Sequence, residues 1–422
     1  MSSPTLQKGL NAFAEQLDAP IASFFSSCVH CGMCADACLF YTETGNPQYT
    51  PIHKLEPLRR FWKQEYTLMG RLKKVLGLSK QITDEELEEW KELLYNTCTL
   101  CGRCSMVCPV GNDLAYMIRK TREGMAASGH APKDLIGAST RSITIGSPMG
   151  VRLPALQAQA KKAAKETGLD IPFDQVGAEY LILLSSMEIM NYPEYLQAVA
   201  KIFKQAGKTW TLASDAFEAT NSGIQIGVSD IAKELVSRIV NAAERLQVKT
   251  VISPECGHAY TAIRWDAPNL MGRKLGFKVR HILEVLESFR QSGLLKTEGF
   301  ETAKMTFHDP CQIARRGGVI KEPRNLLNMV SNNFVEMNDH GKMNWCCGAG
   351  GGVSANEEAH EIKIKVFSRK ANQLKELKVD TLVTACANCR IQLEEGLEEY
   401  QIDLPVVGLT EMIAEHLVEK GE

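Results

Sequence analysis

The sequence lacks any hydrophobic run long enough to cross a membrane, and neither sign of charge is in excess. Its longest run of large apolar residues, 180–184, is far shorter than the ~20 residues that a membrane-spanning helix requires. The N-terminal residues contain no basic stretch followed by an apolar core, so they do not form a secretory signal. The 48 Lys and Arg residues stand against 50 Asp and Glu residues, which gives no reason to expect nucleic acid as a partner. We therefore expect a cytoplasmic protein that is not itself embedded in a membrane.

Cysteine, by contrast, is abundant, and eight of the 14 cysteines form two copies of one motif. The copies are Cys28-x2-Cys31-x2-Cys34-x3-Cys38 and Cys98-x2-Cys101-x2-Cys104-x3-Cys108. Clustered cysteines in a reducing compartment bind metal more often than they form disulfides. Each copy directs several thiolates toward one small volume, as an iron–sulfur cluster requires. The motifs therefore indicate a protein that carries electrons.

The spacing within each copy predicts two [4Fe–4S] cubanes with crossed ligands. In motifs of this type the first three cysteines bind one cubane and the fourth binds the other. The predicted sets are Cys28, Cys31 and Cys34 with Cys108, and Cys98, Cys101 and Cys104 with Cys38. Zinc is the alternative, but a zinc site takes four ligands and does not need the regularly spaced third and fourth cysteines. Leu39 stands where the second copy has Pro109, which alters the local turn but no ligand.

Five further cysteines form a third pattern, Cys311-x34-Cys346-Cys347-x38-Cys386-x2-Cys389. The segments that carry them look like strand ends or the loops that follow strands, where α/β sheets place their chemistry. Five thiolates are one more than a cubane needs. Adjacent cysteines also cannot easily bind separate corners of one cubane, so the pattern suggests a more open cluster.

The distribution of apolar residues divides the chain into a helical part and an α/β part. Residues 1–130 are predicted to be mostly helical, and a linker rich in Pro and Gly follows at 131–176. From 177 onward short apolar strands alternate with helices, which is typical of parallel sheets. A weak internal repeat divides this part into two related halves, 177–296 and 297–422. Only the second half carries a cluster of cysteines.

The combination of these motifs resembles the catalytic subunits of heterodisulfide reductases. It is most similar to their D-type subunit and to the K-type subunit of the sulfite-reduction-associated membrane complex, over about residues 28–422. The resemblance implies a multi-domain protein, in which an all-helical two-cluster ferredoxin domain precedes two related α/β modules of the cysteine-rich CCG type. It also implies that the five-cysteine set binds a non-cubane [4Fe–4S] cluster, where a disulfide and its dithiol are interconverted. The two cubanes would carry electrons to or from that cluster.

The sequence departs from this family pattern in the first α/β module, which is degenerate. Ser185-Ser186 stands where the opening cysteine is expected, and residues 219–223 stand in place of the adjacent cysteines. The K-type relatives are similar here, which implies one non-cubane cluster rather than two. Cys256 and His258 have two interpretations: a leftover buried thiol with a core histidine, or a thiol partner and proton donor facing the cluster. We treat both as candidate catalytic residues.

Two other functions fit the same layout. One is a relay-only iron–sulfur subunit of a glycolate- or lactate-oxidising complex, in which a partner performs the chemistry. The other is a structural metal-binding scaffold. A flavin on this chain is not expected because no dinucleotide-binding fingerprint is present, and the Gly348–Gly352 run lacks the lysine of a phosphate loop.

The partners implied by the resemblance are a membrane cytochrome b-like subunit or a soluble flavoprotein, and the substrate is a small-molecule or carrier-protein disulfide. Attachment to the inner face of the membrane would then run through a partner subunit. Two groups of basic residues bear on this question. Arg315, Arg316 and Arg324 either attract an acidic substrate or form surface salt bridges. The stretch between the two motifs is either a solvated helix face or a docking surface, and its members are Arg59, Arg60, Lys63, Arg71, Lys73 and Lys74.

Overall fold

The structure is a computed structural model and describes residues 4–418. Residues 1–3 and 419–422, at the outer ends of the predicted domains, lie outside that range. The chain folds into two compact units, each built from segments that are separated in the sequence. The first contains the residues up to 137 together with 223–229 and 348–369, and the second contains 138–222, 230–347 and the residues from 370 onward. Within the described range, no helix combines the length and the apolar composition needed to cross a bilayer.

The first unit consists of helices and turns, which agrees with the helical character predicted for residues 1–130. Its first ten helices are α1 (Pro4–Glu15), α2 (Ala19–Ser27), α3 (Met33–Asp36), α4 (Leu39–Thr44), α5 (Pro51–Lys54), α6 (Glu56–Tyr66), α7 (Leu68–Val75), α8 (Asp84–Lys91), α9 (Arg103–Met106) and α10 (Leu114–Ala127). Thr83 caps α8 by accepting a hydrogen bond from the Glu86 amide at 3.3 Å. After α8 the helix changes to a π-helical turn at Glu92–Asn96.

The remaining helices are α11 (Lys133–Ile145), α12 (Leu153–Thr167), α13 (Ser186–Asn191), α14 (Glu194–Ala206), α15 (Ser222–Ile226), α16 (Ser229–Arg245), α17 (Gly257–Thr261), α18 (Ala267–Met271), α19 (Ile282–Gln291), α20 (Lys321–Leu327), α21 (His360–Val366), α22 (Ser368–Leu377), α23 (Ala387–Glu399) and α24 (Leu409–Glu415). The segment 131–176, predicted to be a linker, contains the two helices α11 and α12. A proline or a glycine flanks each of these two helices. Because these residues favour turns and loops, the sequence around α11 has the composition of a linker.

The second unit contains two small parallel sheets. Their strands are β1 (Tyr180–Ile182), β2 (Trp210–Thr211), β3 (Thr250–Ser253), β4 (Lys278–His281), β5 (Met305–His308), β6 (Thr381–Thr384) and β7 (Val406–Gly408). The first sheet has the order β2-β1-β3-β4 and the second has the order β5-β6-β7. Every pairing is parallel, as the alternation of strands and helices predicts, so the carboxyl ends of β5 and β6 meet at one edge.

One fully buried cation, Arg122 on α10, joins the three segments of the first unit. Its guanidinium donates hydrogen bonds of 2.6–3.0 Å to the carbonyl oxygens of Leu94, Cys98, Gln225 and Gly351. The same guanidinium lies over the ring of Tyr95, 4.6 Å from its centroid. These carbonyls belong to the π-helical turn, the second cysteine motif, the 223–229 segment and the 348–369 segment. Arg122 therefore satisfies buried acceptors in every segment of the unit.

We expect replacement of Arg122 by Met to destabilise the first unit by about 3 kcal/mol or more, because four buried carbonyl oxygens lose a charged donor. In a unit of this size that loss lowers the midpoint of thermal unfolding by roughly 6–12 °C. Circular dichroism of the cluster-loaded protein under anaerobic conditions measures the change. The exposed Arg152 provides the matched control, and an Arg122→Met midpoint equal to that of Arg152→Met would contradict the assigned role.

Candidate metal centres

The two copies of the first cysteine motif adopt the same backbone. In each loop the residue before the second cysteine has a left-handed conformation, with φ of 53° at His30 and 54° at Leu100. The glycine after that cysteine is also left-handed, with φ of 82° at Gly32 and 77° at Gly102, and it starts a four-residue helix. Glycine adopts this conformation without the steric penalty that a Cβ brings. The repeated sequence thus folds into two equivalent ligand loops.

The cysteines of the two motifs fall into two neighbouring groups. Burial, followed by the neighbouring Cys28, raises the pKa of Cys34 to about 11, and Cys31 and Cys108 act in the same direction. Cys108 is thus an electrostatic neighbour of the first motif although it belongs to the second.

Cys104 belongs to the second motif and has Cys38 of the first motif as a neighbour. Burial raises its pKa well above the usual value, and Cys101, Cys38 and Cys98 contribute further, with Cys34 last. Several buried thiolates so close together are unfavourable without a cation. Iron supplies that charge, so the donor set fits iron–sulfur clusters.

A buried lysine that sequence analysis did not identify lies beside the Cys98 group. Lys54 is 1% exposed, and its Nζ lies 3.7 Å from the Sγ of Cys38. Lys54 also donates a hydrogen bond to the carbonyl of Thr97 and lies 5.3 Å from the ring centroid of Phe40. A positive charge here favours additional negative charge at this cysteine group. Lys54 lies outside the cysteine motifs, so their spacing does not predict its position. The short helix α5 places its side chain beside the cysteines.

The glycine run that directly follows Cys346-Cys347 packs within the first unit against the second ligand loop. A Cβ on Gly351 would lie 2.8 Å from the carbonyl carbon of Thr99, and Gly351 has a φ of 62°. The following Gly352 has a φ of 93° and packs against Leu135. Glycine is therefore needed both for close approach and for left-handed backbone. The run is a backbone contact beside Cys98 and not a phosphate loop.

The five-cysteine set comes together in the second unit at the carboxyl ends of β5 and β6. Cys311 follows β5, whereas Cys386 and Cys389 stand at the start of α23, directly after β6. The Sγ atoms of Cys347 and Cys389 are 3.3 Å apart, and those of Cys311 and Cys346 are 3.9 Å apart. All five side chains are buried. Two of the three segments follow strands, as the sequence predicts, whereas the segment with Cys346 and Cys347 follows the 3-10 turn Gly341–Met343.

His308, the last residue of β5, is a further member of this site. One of its ring nitrogens and the Sγ atoms of Cys347 and Cys389 all lie within 4.8 Å of one another. The ring is fully buried, and neither nitrogen has a hydrogen-bond partner within the described residues. Burial lowers the pKa of His308 well below its usual value, so the ring is neutral. The His308-Asp309-Pro310-Cys311 segment was visible in the sequence, but only the pleat of β5 determines which side chain faces the thiols.

The first α/β module supplies backbone groups to the cysteine site. The Cys389 thiol and the Gly257 amide donate hydrogen bonds to Cys386 and lower its pKa to about 7. In the other direction, the Ala387 amide donates to the Glu255 carbonyl at 2.7 Å. A Cβ on Gly257 would lie 2.8 Å from the Cβ of Gln312, so only glycine permits this approach.

The predicted residue Cys256 is buried beside this contact, and the predicted residue His258 lies on α17. The pKa of Cys256 is raised well above its usual value, by burial first and by the proximity of Cys386 second. The Cys256 thiol is therefore an electrostatic neighbour of the five-cysteine set. His258 is half-buried, and its carbonyl accepts a hydrogen bond from the Thr261 hydroxyl.

Arg324 and Arg315 have partners within the protein. Arg324 forms a two-pronged ion pair with the buried Asp309 and bonds Glu336 at 2.9 Å. Arg315 is buried and donates to the carbonyl of Lys342 at 2.7 Å and to the Asn344 side chain at 2.8 Å. These two side chains hold the loop before Cys346 and are not oriented toward a substrate.

A lysine supplies positive charge close to the thiols. Lys370 is 2% exposed, and burial lowers its pKa to about 8, while Asp309 and the thiols of Cys347, Cys346 and Cys389 act in the opposite direction. Its Nζ donates to the Gln373 side chain at 2.9 Å. Sequence analysis missed Lys370 because α22 brings it to the site from outside every motif.

The equivalent position in the first sheet is filled by hydrogen-bonded polar groups. Tyr180 pairs with Thr250 in the first sheet as Met305 pairs with Thr381 in the second. Counting six residues from Tyr180 and from Met305 makes Ser186 the counterpart of Cys311. The Ser186 hydroxyl bonds the carboxylate of Glu218 and lies 2.6 Å from the hydroxyl of Ser147. The hydroxyl of Ser186 thus has hydrogen-bond partners within the protein.

Comparison with known protein families gives two matches, one for each group of motifs. Residues 25–112 match a 4Fe-4S dicluster domain, and residues 305–394 match a cysteine-rich domain of the CCG type. A solved structure of a hypothetical protein from Helicobacter pylori covers 99% of this chain and 76% of its own, with a TM-score of 0.54 and 11% sequence identity. At that identity the likeness concerns the fold alone.

Two curated relatives extend over nearly the whole chain. The Hdr-like menaquinol oxidoreductase iron-sulfur subunit of Archaeoglobus profundus is 28% identical over 97% of this chain and 82% of its own length. The D-type subunit of the dihydromethanophenazine:CoB–CoM heterodisulfide reductase of Methanosarcina barkeri is 27% identical over 93% of both chains. The two domain matches and these relatives support a similarity to electron-transferring, iron–sulfur oxidoreductase subunits of the kind to which the D-type subunit of heterodisulfide reductases belongs.

Proposed function

We propose that this chain interconverts a disulfide and its dithiol at the five-cysteine site, supplied with electrons by two cubanes. The observation that carries the proposal is the convergence of Cys311, Cys346, Cys347, Cys386 and Cys389 at one sheet edge, with sulfur–sulfur distances of 3.3 and 3.9 Å. The reaction joins one disulfide with two electrons and two protons to give two thiols. Because it needs two electrons, a chain with several one-electron carriers suits it.

The ligand sets in this proposal are those expected from the sequence. Cys28, Cys31, Cys34 and Cys108 hold one [4Fe–4S] cubane, and Cys98, Cys101, Cys104 and Cys38 hold the other. The neighbours of Cys34 and of Cys104 support this crossed arrangement. The five-cysteine set holds one non-cubane [4Fe–4S] cluster, which when bound exchanges single electrons with a substrate sulfur. The residues 177–296 form a degenerate module that holds no cluster, and 297–422 form the module that does.

The protein groups around the five cysteines have separate roles in this proposal. The neutral ring of His308 and the cation of Lys370 stand beside the thiols, and the Gly257 amide stabilises negative charge on Cys386. Cys256 provides a thiol partner for the substrate sulfur, and His258 provides its proton. Burial of all five cysteines excludes water, which strengthens these electrostatic interactions.

The partners follow from the relatives, which are named as subunits of larger redox enzymes. We propose that a membrane cytochrome b-like subunit or a soluble flavoprotein exchanges electrons with the cubanes. A partner of the first kind would hold the chain at the inner face of the membrane. The substrate is a small-molecule or carrier-protein disulfide.

The first prediction concerns iron content. We expect about twelve irons per chain in protein purified anaerobically, and about eight after Cys346→Ser with Cys347→Ser, because only one four-iron site is lost. Chemical iron analysis measures both values. Cys256→Ser is the matched control, since Cys256 is the one cysteine outside the three sets, and it should retain about twelve.

Electron paramagnetic resonance then distinguishes disulfide chemistry from electron relay alone. The probes are the CoB–CoM heterodisulfide and oxidised glutathione. We expect a new paramagnetic signal when the protein, first reduced with dithionite and then freed of excess reductant, meets a disulfide that it accepts, because the reduced clusters supply the electrons. No such signal should appear in the double serine variant. A wild-type protein with full iron content, no response to either probe and a co-purifying flavoprotein would instead indicate the relay-only function.

A second prediction concerns Cys256 and His258. If both act at the cluster, Cys256→Ala with His258→Ala should lower disulfide turnover by about 100-fold, a typical effect of losing a positioned proton-transfer group. The iron content and the reduction of the cubanes by dithionite should stay as in the wild type. Unchanged turnover in the double variant would show that both residues are structural.

A third prediction concerns Lys54 and the potential of the neighbouring cubane. A charge about 7 Å away at an effective dielectric constant of about 20 contributes roughly 2 kcal/mol. Lys54→Gln should therefore lower the midpoint potential of that cluster by about 100 mV, because the reduced state loses a stabilising cation. Redox titration followed by electron paramagnetic resonance measures the shift. The exposed Lys161→Gln is the control, and equal potentials in both variants would contradict the role of Lys54.

A further inference from the structure

The short helix α7 exposes an apolar stripe that no described part of the first unit covers. Leu68, Leu72 and Val75 are 89%, 52% and 84% exposed, and Met69 and Leu76 are also exposed. At 3.6 residues per turn these five side chains lie within an arc of about 120°. An amphipathic helix normally turns such a stripe toward the protein core. Here the stripe faces away from the described residues of the unit, which calls for a covering surface from elsewhere.

The helix itself makes little contact with the rest of the unit. None of its eight residues is buried. It is held at its start, where Thr67 accepts a hydrogen bond from the Gly70 amide at 3.1 Å, and by Arg71, which bonds the Glu65 carbonyl at 2.7 Å. A helix of this length is marginal in water without tertiary packing. A surface that covers the stripe would supply the missing stabilisation.

Basic side chains flank the stripe on both sides. On the helical wheel Arg71 and Lys73 border the apolar arc, and Lys74 lies opposite and pairs with Glu65 at 2.5 Å. Residues 56–80 carry seven basic and two acidic side chains, in a chain whose net charge is −2. The local charge is therefore opposite in sign to that of the whole chain, and it is complementary to an anionic surface.

A group of aromatic rings lies next to the helix. Trp62 stacks on Tyr66 with a centroid distance of 5.1 Å and an interplanar angle of 13°, and it stacks on Phe25 at 5.7 Å. Tyr66 is 44% exposed. Tryptophan and tyrosine favour the boundary between lipid headgroups and acyl chains, since one end of each ring system is apolar and the other is polar.

We propose that the segment Leu68–Leu78 binds directly to the surface of an anionic lipid bilayer, with the leucine side chains entering the acyl boundary and the basic side chains among the headgroups. An apolar stripe, flanking cations and adjacent aromatic rings together are the composition of interfacial helices. An uncharged apolar groove on a protein would account for the stripe alone, but not for cations on both of its sides. This contact is separate from any attachment that a partner subunit provides.

The position of the segment Leu68–Leu78 has a consequence for electron transfer. A cavity of about 190 Å³ beside this segment is lined by Lys63, Thr67, Trp62 and the proposed cubane ligand Cys28, among others. The first cysteine loop therefore lies on the same side of the unit as the lipid-binding segment. Docking would bring this loop close to the membrane surface. Its consequence for electron transfer rests on the proposed function, in which the loop holds a cubane.

Vesicle sedimentation of the full-length, cluster-loaded chain tests the proposal. The vesicles consist of phosphatidylcholine alone or with roughly one third phosphatidylglycerol. We expect at least about tenfold tighter binding to the anionic vesicles, and a loss of about tenfold or more in two variants. One is Leu68→Ser with Leu72→Ser and Val75→Ser, and the other is Arg71→Gln with Lys73→Gln and Lys74→Gln.

The matched control replaces three exposed apolar residues elsewhere, by Val176→Ser, Met190→Ser and Phe300→Ser, and should bind as the wild type does. Equal iron content and equal circular dichroism establish that all variants are folded. The proposal is overturned if the wild type binds neither kind of vesicle, if it binds both equally, or if the stripe variant binds as tightly as the wild type. Because iron content is independent of lipid binding, failure here leaves the ligand assignment unaffected.

Discussion

The constraint on which this structure depends is the cost of burying many thiols in a small volume. Burial raises the pKa of Cys34 and of Cys104, and hydrogen bonds with Cys347 and Cys386, followed by burial, raise the pKa of Cys389. Without a cation the thiolates of these residues are therefore unfavourable in the folded chain. Iron removes that cost by supplying positive charge. The protein adds the buried ammonium of Lys54 and, at the five-cysteine site, that of Lys370. Cluster binding and folding are therefore coupled, as in other proteins whose metal ligands are buried.

The path of the chain connects the two kinds of site. The adjacent cysteines of the third pattern lie in the second unit, and the glycines that follow them in sequence pack in the first unit on the loop that carries Cys98. Arg122 holds this segment by bonding the carbonyls of both Gly351 and Cys98. One buried guanidinium thus relates the position of the glycine run to a cysteine of the second motif.

The first sheet and the five-cysteine site differ in side chains but share a contact. Ser186, which follows β1 as Cys311 follows β5, is hydrogen-bonded by Glu218 and Ser147. The segment after β3 contributes the amide of Gly257 to Cys386, and that contact requires the absence of a side chain at Gly257. Residues that carry none of the five cysteines therefore still influence the charge of that site.

The sequence alone showed where cysteines are concentrated and predicted the parallel α/β character, because cysteine spacing and strand–helix alternation are local properties of the chain. It did not reveal Lys54, Lys370 or His308 as members of the sites, nor Arg122 as the link between segments. Each of these side chains reaches its partners through contacts between residues distant in sequence, and a buried charge has no local signature. The sequence shows that the segment 68–78 contains both basic and apolar residues. Only the tertiary structure shows that the apolar side faces outward, because packing, and not periodicity, determines which face of a helix is covered.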